Sequence, residues 1–336
     1  MDLRGRSVLV VGGAGYIGSI LADQLLDAGA TVRVLDQLIY DNGFAVQHLL
    51  DREGMTFVRG DFCDRDTVLR AAHEVTDVVL LASLVGDPIC KKYPDLATRV
   101  NEDASFQLID ALDEVGVQRL VFASTCSNYG IHESEALATE DSALNPQSLY
   151  ARNKIAVEQY LLDKCAGSAF SGTVLRLATA YGLSPRMRFD LTVSQFVLEL
   201  ASGNSLLVFD ADTWRPYCHV RDISKAVMTV LGKPRELVHG EVFNVGDDSQ
   251  QFTKRMIVDE IRKHLDSVEV DYKAGDTDPR NYRVSFAKIA DKLSFTCDYT
   301  VQRYVPAVAR AVRHGVFPDD VAGNTRFGNY EVHHMA

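Results

Sequence analysis

The stretch Val8-Leu9-Val10-Val11-Gly12-Gly13-Ala14-Gly15-Tyr16-Ile17-Gly18 decides the fold of this chain. An apolar run typical of a buried strand leads into spaced glycines, and a helical pattern over 17–28 follows. Gly12 allows a tight turn, Gly15 lets a pyrophosphate approach the backbone, and Gly18 lets the helix pack on the strand. The start of the helix offers free N–H groups and a partial positive charge to phosphates. Strand, turn and helix together predict a dinucleotide-binding site.

Short apolar runs alternate with helical patterns through the first two-thirds of the chain. The predicted strands are rich in Val, Leu and Ile on both faces, which is typical of a parallel sheet covered by helices on both sides. Such alternation implies right-handed crossovers, so we predict an α/β fold with a Rossmann-type doubly wound parallel sheet. The predicted strands are 7–11, 31–36, 56–59, 77–81, 119–123 and 172–177, and the clearest helices are 17–28, 95–115 and 149–165.

The pattern changes after about residue 178. Loops lengthen there, and arginines concentrate at positions 186, 188, 215, 221, 280 and 283. We expect a dinucleotide-binding domain over 1–178, with segments near 215–246 returning to it, and a smaller, less regular substrate lobe over 179–317. This lobe is expected to close over the carboxyl edge of the sheet. The tail, 318–336, shows no clear period, which predicts an extended segment.

The composition excludes several classes of function. Of 336 residues, 46% are hydrophobic, and 35 Lys and Arg stand against 46 Asp and Glu, which gives a formal net charge of −11. An acidic surface does not attract nucleic acid or anionic lipid, so an anionic ligand needs local cations or backbone dipoles. No apolar run approaches the roughly 18 residues of a membrane helix. We expect a cytoplasmic protein that binds neither nucleic acid nor membrane.

The cysteines and histidines predict no metal site. The six cysteines are scattered and form neither a CxxC pair nor a short Cys/His cluster, which is typical of reduced thiols in a core. The pair His333-His334 stands alone and lacks the further ligands that a metal ion needs.

Two acidic residues follow predicted strands and extend the cofactor site. Asp36 ends the second strand, where a carboxylate accepts hydrogen bonds from both hydroxyls of an adenosine ribose. Because it would repel a 2′-phosphate, and no Arg sits beside it in the sequence, NAD is favoured over NADP. Asp61, after the third strand, is placed to accept from the adenine amino group while Phe62 offers its backbone.

A phenol and an ammonium stand four residues apart in Tyr150-Ala151-Arg152-Asn153-Lys154. On a helix, Tyr150 and Lys154 share one face. A phenol with a pKa of about 10 is a poor base at neutral pH, but the ammonium and the positive nicotinamide ring of NAD⁺ both favour the phenolate. The segment Ser124-Thr125-Cys126-Ser127-Asn128-Tyr129-Gly130 follows the strand 119–123, and a hydroxyl there can hydrogen-bond the substrate oxygen that Tyr150 deprotonates.

These residues together resemble the extended short-chain dehydrogenase/reductases, particularly their nucleotide-sugar epimerase and dehydratase branch. The likeness runs from about residue 6 to about residue 315. The motifs that carry it are the glycine turn, Gly60-Asp61, Asn101, Ser-Thr-x-x-x-Tyr-Gly over 124–130, Tyr-x-x-x-Lys over 150–154, Arg176 with Tyr181-Gly182, Arg215-Pro216-Tyr217 with His219-Val220 and Asp222-Ile223, and Phe243-Asn244-Val245-Gly246.

The resemblance implies that the chain binds NAD and a nucleoside-diphosphate sugar across one cleft, and that Thr125, Tyr150 and Lys154 are catalytic. It also implies a homodimer joined by a four-helix bundle, formed by the helices around 95–115 and 149–165. The cofactor-binding residues that we expect are Gly12, Gly15, Tyr16, Ile17, Gly18, Asp36, Asp61, Phe62, Leu81, Ala82, Ser83, Asn101, Tyr150 and Lys154.

The family's common step is removal of a hydride from a sugar carbon, usually C4. A 4,6-dehydratase uses an acidic pair directly after the Thr, but this chain has Cys126 and Ser127 there, and neither is a carboxylate. An epimerase, which returns the hydride to the other face of the sugar, is therefore the simplest interpretation. The alternatives are a 4-dehydrogenase or ketoreductase with net redox turnover, and a non-catalytic NAD-sensing protein, against which intact Thr125, Tyr150 and Lys154 argue.

Arginines are the natural partners of the two phosphates of a nucleotide sugar, because the planar guanidinium engages phosphate oxygens in two bonds. Arg215 and Arg283 occupy the family's usual pyrophosphate-binding positions, and Arg186 and Arg188 lie in the loop after the sixth strand. Thr179 stands where the family usually has Asn. The substrate-binding residues that we expect are Cys126, Ser127, Asn128, Thr179, Arg186, Arg188, Arg215 and Arg283.

Overall fold

The computed structural model describes residues 2–131, 136–275, 280–318 and 320–332. The strands are β1 Ser7–Val11, β2 Thr31–Asp36, β3 Met55–Arg59, β4 Asp77–Leu80, β5 Arg119–Thr125, β6 Ser171–Leu177, β7 Thr179–Tyr181, β8 Leu206–Phe209, β9 Trp214–His219, β10 Glu241–Val245, β11 Gln251–Thr253 and β12 Val270–Lys273. The α-helices are α1 Gly18–Asp27, α2 Arg65–Ala72, α3 Asp87–Lys92, α4 Pro94–Thr98, α5 Ala104–Glu114, α6 Leu149–Cys165, α7 Thr192–Ala201, α8 Val220–Gly232, α9 Arg235–Val238, α10 Lys254–Arg262, α11 Ala287–Leu293 and α12 Val301–Arg313. Across these described ranges, no helix combines the length and the apolar character needed to cross a membrane.

Seven parallel strands form the central sheet, in the order β3-β2-β1-β4-β5-β6-β10. This order confirms the predicted Rossmann-type doubly wound α/β fold, and the six predicted strands lie within two residues of their predicted ends. The direction in which successive strands are added reverses between β1 and β4. In such sheets, ligands bind in the crevice that this reversal opens at the carboxyl ends of the strands.

Each strand of the sheet sends alternate side chains to opposite faces. In β1, Val8 and Val10 enter the apolar core that includes α1, α8 and α11, while Leu9 and Val11 enter the core beneath α2, α5 and α6. All four side chains are fully buried. Burial on both sides explains why this strand is apolar throughout, and it holds the glycine turn that follows against a rigid layer.

The predicted helix 95–115 is present but interrupted. Its first part is α4, its last part is α5, and a π-helical turn over Arg99–Asp103 joins them. A π-helical turn closes its hydrogen bonds one residue later than an α-helix, and such turns occur frequently at functional sites. The predicted helix 149–165, in contrast, is present over its full length as α6, where Ser148 Oγ caps its start by accepting from Ala151 N at 3.2 Å.

A second lobe is built from two small sheets and three helices. One sheet has the order β11-β9-β7 and the other pairs β12 with β8. The helices α7, α10 and α12 pack around a separate apolar core that includes Val197, Ile257 and Val305. The intervening β10 returns to the central sheet and α8 packs in the core beside α1.

The tail after α12 runs from the second lobe to the first. Phe327 O accepts a hydrogen bond from Phe189 N at 2.7 Å, and Asn329 Nδ2 donates to Val85 O at 3.2 Å. These two hydrogen bonds connect the tail to both lobes. The segment was predicted to be extended, but it also contains a short 3₁₀-helix, Thr325–Phe327. The His333-His334 pair lies outside the described residues.

Candidate active site

A cavity of about 560 Å³ lies at the carboxyl edge of the central sheet, between the two lobes. The first domain lines it with the ends of β1, β2, β4 and β5 and the start of α6. The second lobe contributes the loop 186–192 and residues of β7 and β9, and the tail adds Asn329 and Tyr330. The cavity therefore lies at the crevice where a doubly wound sheet binds its ligands.

The glycine turn at the end of β1 forms a cradle that only glycine fits. Gly12 has a φ of +84°, and a Cβ there would lie 2.6 Å from Ala82 N. A Cβ at Gly18 would lie 2.6 Å from Gly13 Cα, so any side chain would separate helix α1 from the turn. The turn and the start of α1 face the cavity. This geometry suits the close approach of a pyrophosphate.

The carboxylate of Asp36 lies on the cavity wall at the end of β2. Its two oxygens accept from Ala14 N at 3.0 Å and from Leu38 N at 2.8 Å, which fixes its orientation. Burial raises the pKa of Asp36, and these hydrogen bonds and the Arg186 guanidinium act in the opposite direction. The structure thus brings an arginine near Asp36, although the sequence shows none beside it. A cradle that a Cβ would fill, with an oriented carboxylate beyond it, fits NAD.

The predicted catalytic side chains lie together on the same cavity. Thr125 ends β5 and caps a short 3₁₀-helix, where its Oγ1 accepts from Ser127 N at 3.1 Å. Tyr150 lies in the first turn of α6, and Lys154 lies one turn later on the same side. Lys154 Nζ donates to Ala123 O at 2.9 Å and lies 5.7 Å from the centre of the Tyr150 ring. The helix and the strand therefore bring phenol, ammonium and hydroxyl to one place.

Burial controls the protonation of Tyr150 and Lys154. It is the largest cause that raises the pKa of Tyr150 well above its ordinary value, and Cys90 and Asp87 raise it further. Burial also lowers the pKa of Lys154 to about 8. In the protein alone, burial thus outweighs the help that Lys154 was expected to give the phenolate. The positive nicotinamide ring remains the charge that can shift Tyr150 back toward ionisation.

A buried polar network lies behind the catalytic strand. Glu158 pairs with Arg176 at 2.8 Å, and the two side chains are only 4% and 7% exposed. The same carboxylate accepts from Ser124 Oγ and, at 2.7 Å, from Asn128 Nδ2. Because Ser124 and Asn128 flank Thr125 in the chain, this network fixes the segment that carries the catalytic hydroxyl.

The cavity wall carries most of the residues that the sequence predicts. Those on the wall are Gly12, Gly15, Tyr16, Ile17, Gly18, Asp36, Asp61, Phe62, Leu81, Ala82, Ser83, Thr125, Ser127, Tyr150, Lys154, Thr179, Arg186, Arg188 and Arg215. Four predicted residues lie behind or beside it, namely Asn101, Cys126, Asn128 and Arg283.

Each of these four has another partner that explains its position. Asn101, on the π-helical turn, accepts from Leu84 N at 2.7 Å and supports the loop that forms the wall. Cys126 is fully buried, with its Sγ 3.2 Å from Arg176 O. Asn128 belongs to the Glu158 network. The Arg283 guanidinium lies over the Trp214 ring, 5.4 Å from its centre, and Arg283 is not among the residues that line the cavity.

Two of the predicted arginines are engaged within the protein. Arg188 forms a pair of hydrogen bonds with the Asp190 carboxylate, both at 2.6 Å. Arg186 Nη2 donates to Thr325 O at 3.2 Å and to Gly328 O at 3.0 Å, so it anchors the tail. Their side chains reach the cavity, but much of their hydrogen-bonding capacity is used in holding its wall.

The structure also adds wall residues that the sequence did not single out as site residues. They include Asp87, Arg280 and Tyr282 at the catalytic end, Tyr40 and Asp190 near Arg186 and Arg188, and Asn329 and Tyr330 in the tail. Asp87 is the first residue of α3. Arg280 stands three residues before Arg283, the residue that the family position singled out, and it is Arg280 that lines the cavity.

Comparisons with known proteins agree with this geometry. Residues 8–246 match the model of the NAD dependent epimerase/dehydratase family. The chain is similar to UDP-glucose 4-epimerase of Bacillus subtilis (strain 168), with 28% identity covering 84% of this chain and 88% of the relative. It is also similar to UDP-glucuronate 4-epimerase 3 of Arabidopsis thaliana, with 30% identity covering 73% of this chain and 62% of that protein.

The fold is also similar to that of a solved relative. The structure of UDP-glucose 4-epimerase from Thermus thermophilus, in complex with NAD, superimposes with a TM-score of 0.79 at 26% identity, covering 92% of this chain and 99% of the other. The family match spans most of the chain and includes the glycine turn, Tyr150 and Lys154. This chain belongs to the NAD-dependent epimerase/dehydratase family.

Proposed function

We propose that this protein is an NAD-dependent nucleoside-diphosphate-sugar 4-epimerase. The observation that carries the proposal is that Thr125, Tyr150 and Lys154 line one end of a cavity whose other end holds the glycine turn and Asp36. A nucleotide sugar in this cavity would place a ring hydroxyl at Tyr150 while NAD occupies the sheet edge. The similar proteins named as UDP-glucose 4-epimerases support this function.

The residues of the chain supply proton transfer and orientation. NAD, when bound, supplies reversible hydride acceptance at the sugar carbon, and its adenosine end would be held by the glycine turn and Asp36. The Tyr150 oxygen takes the proton of the sugar hydroxyl and later returns it. Thr125 Oγ1 hydrogen-bonds the same oxygen and holds it in line. Lys154, whose Nζ donates to Ala123 O, would hold the nicotinamide ribose and add its charge to that of the nicotinamide ring in favour of the phenolate.

Residues beside Thr125 favour epimerisation over dehydration. Elimination of water needs an acid and a base at the two positions after Thr125, which are Cys126 and Ser127. Burial raises the pKa of the Cys126 thiol well above its ordinary value, so the thiol stays neutral. Cys126 is also not among the residues that line the cavity. A 4-dehydrogenase or ketoreductase with net redox turnover uses the same Thr, Tyr and Lys, and it remains the second candidate.

Phosphate binding is proposed at the arginines of the second lobe. Arg215 and Arg188 line the cavity, and a guanidinium is suited to a diphosphate. Because Asp190 already binds Arg188 through two hydrogen bonds, Arg215 is the main candidate. We also propose that the division at residue 178, with the return near 215–246, separates cofactor binding from substrate binding.

A homodimer through α5 and α6 is part of the same proposal. Phe106 of α5 stacks on Tyr160 of α6, with ring centres 4.4 Å apart, and both side chains are only half-buried. A second pair of these helices would cover them and form a four-helix bundle. Sedimentation of the purified protein tests this, and a monomer at micromolar concentration contradicts it. A cytoplasmic location is consistent with six cysteines that are all free thiols.

The test begins with mass spectrometry of ligands released by denaturing freshly purified protein. Stoichiometric NAD that survives gel filtration supports an epimerase that recycles its cofactor, whereas weakly held NAD favours the dehydrogenase or reductase. Predominant NADP contradicts the interpretation of Asp36. UDP-glucose is then supplied and its C4 epimer is measured. Tyr150→Phe should retain NAD but lose about 10²–10⁴-fold in turnover, and unchanged turnover contradicts the catalytic role of Tyr150.

A further inference from the structure

An ion pair faces the catalytic end of the cavity. Arg280 Nη2 lies 3.1 Å from Asp87 Oδ2, and the two side chains are 20% and 17% exposed. Asp87 begins α3 in the first domain, while Arg280 belongs to the second lobe, so the pair closes the cavity from both sides. Neither residue has a role in the redox step proposed above.

Contacts with Ser127 fix the position of this pair relative to the catalytic residues. Arg280 Nη1 donates to Ser127 Oγ at 3.1 Å, and Tyr282 OH lies 3.4 Å from the same oxygen. Ser127 N in turn donates to Thr125 Oγ1. Both Asp87 and Arg280 also lie near enough to Tyr150 to influence its pKa, in opposite directions. The pair would therefore border a sugar bound at Tyr150.

Arg280 holds the Asp87 carboxylate through one oxygen, Oδ2. The other oxygen, Oδ1, is enclosed by protein and accepts no hydrogen bond from any of the residues that the structure describes. A sugar does not reach this enclosed oxygen, but the negative charge of Asp87 still acts across the cavity wall. A sugar carboxylate near Asp87 would place a second negative charge beside it.

We infer that the Asp87–Arg280 pair makes this protein selective for neutral hexoses over hexuronic acids. The inference rests on the proposed function and narrows its substrate class. A neutral hydroxymethyl group beside the pair leaves the ion pair undisturbed. A uronate carboxylate can reach the guanidinium only by competing with Asp87, because Arg280 is already committed to that carboxylate and to Ser127. Juxtaposed like charges at a binding surface suppress the wrong partner strongly.

The comparisons with known proteins do not decide between a neutral hexose and a hexuronic acid, so the Asp87–Arg280 pair adds information about the substrate. Relatives of this chain are named both as UDP-glucose 4-epimerases and as a UDP-glucuronate 4-epimerase, at similar identities of 28% and 30%. Overall similarity therefore does not separate a neutral sugar from a uronate. A charged side chain near C6 of the sugar does separate them, because UDP-glucuronate carries a carboxylate at C6, where UDP-glucose carries a hydroxymethyl group.

The experiment compares UDP-glucose with UDP-glucuronate on the holoenzyme. We expect kcat/KM for UDP-glucose to exceed that for UDP-glucuronate by at least about tenfold, which corresponds to the repulsion of one partly compensated charge. Asp87→Asn keeps the shape of the side chain but frees Arg280, so this ratio should fall about tenfold. Arg280→Gln leaves Asp87 uncompensated, so the ratio should rise instead. Asp212→Asn, which alters an exposed ion pair with Arg255, is the matched control and should leave the ratio unchanged.

Each outcome decides a separate point. NAD content and thermal unfolding of every variant show whether the fold is retained, and the opposite directions expected for Asp87→Asn and Arg280→Gln do not arise from general damage. Equal or better use of UDP-glucuronate by the wild type, or a ratio that neither variant moves, overturns the inference but leaves the epimerase proposal intact. If neither nucleotide turns over, the proposed function fails, and calorimetric binding of the same two nucleotides still tests the selectivity. Equal binding of both overturns it.

Discussion

Replacing Glu158 by Gln removes the negative charge at the centre of the buried network behind Thr125. The variant keeps the shape of the side chain but leaves the Arg176 guanidinium, which is 7% exposed, without its counter-charge. Breaking a buried pair in this way costs about 3–5 kcal/mol. Domains are stable by only about 5–15 kcal/mol, so the loss would be a large fraction of the total.

Urea-induced unfolding of wild type and variant, followed by circular dichroism, measures this difference. Asp212→Asn is the control, because it removes a carboxylate from an exposed pair and should leave the unfolding midpoint unchanged. The double variant Glu158→Leu with Arg176→Met removes both charges, so it should lose clearly less than the sum of the two single replacements. A loss below about 1 kcal/mol for Glu158→Gln, or strictly additive losses, would show that this network does not hold the catalytic strand.

Three further predictions concern the cofactor side of the cavity. Gly18→Ala places a Cβ 2.6 Å from Gly13 Cα, so the NAD content after gel filtration should fall sharply. In the control Gly43→Ala, the new Cβ meets only the flexible Leu38 side chain at 3.3 Å, and the NAD content should be retained. Equal NAD retention by both variants would contradict the role of the glycine turn in binding the cofactor. The folded-state pKa of Lys154 is about 8, below its ordinary value of 10.5, so the unfolded chain holds the extra proton between these pH values. The cost of burying the charged Lys154 is fully present below pH 8 and is relieved as the pH rises above it. The free energy of unfolding of the wild type relative to Lys154→Met should therefore rise by roughly 2–3 kcal/mol from pH 7 to pH 10, as measured by urea titration. A difference in unfolding free energy that does not change with pH would contradict the lowered pKa of Lys154. Asn329→Ala with Glu331→Ala removes the contacts of these two tail residues with Val85, Lys92 and Tyr93 of the first domain. NAD should therefore dissociate several-fold faster in a stopped-flow displacement assay, and an unchanged rate would show that the tail does not hold the cofactor in the cavity.

Local sequence signals were sufficient for the fold and for the cofactor side of the site. The glycine turn, the alternating apolar runs and the Tyr150–Lys154 spacing each depend on neighbouring residues, and backbone geometry fixes where such neighbours lie. The helix 149–165 has the same ends in the structure as in the prediction. The strands differ by at most two residues, because the ends of a strand depend on pairing as well as on composition.

Substrate contacts were harder to predict because they depend on how distant segments meet. Arg280 and Arg283 are near neighbours in the chain, yet of these two only Arg280 lines the cavity, whereas Arg283 lies over the Trp214 ring. Asp87 becomes informative only beside Arg280, which is far away in sequence. Asn128 has a side-chain amide of the kind that binds sugar hydroxyls, but it lies behind the strand, where this amide donates to the Glu158 carboxylate. No spacing rule within one segment distinguishes these cases.

The π-helical turn over Arg99–Asp103 limits where members of the family can gain or lose residues in this part of the chain. Such a turn contains one residue more than an α-helical turn, so losing one residue there would restore a continuous α-helix. Each residue rotates a helix by about 100°. The deletion would therefore turn either Asn101 away from Leu84 or the apolar side of α5 away from its core. Natural insertions and deletions should consequently be tolerated in the loops around this helix and excluded from these five positions.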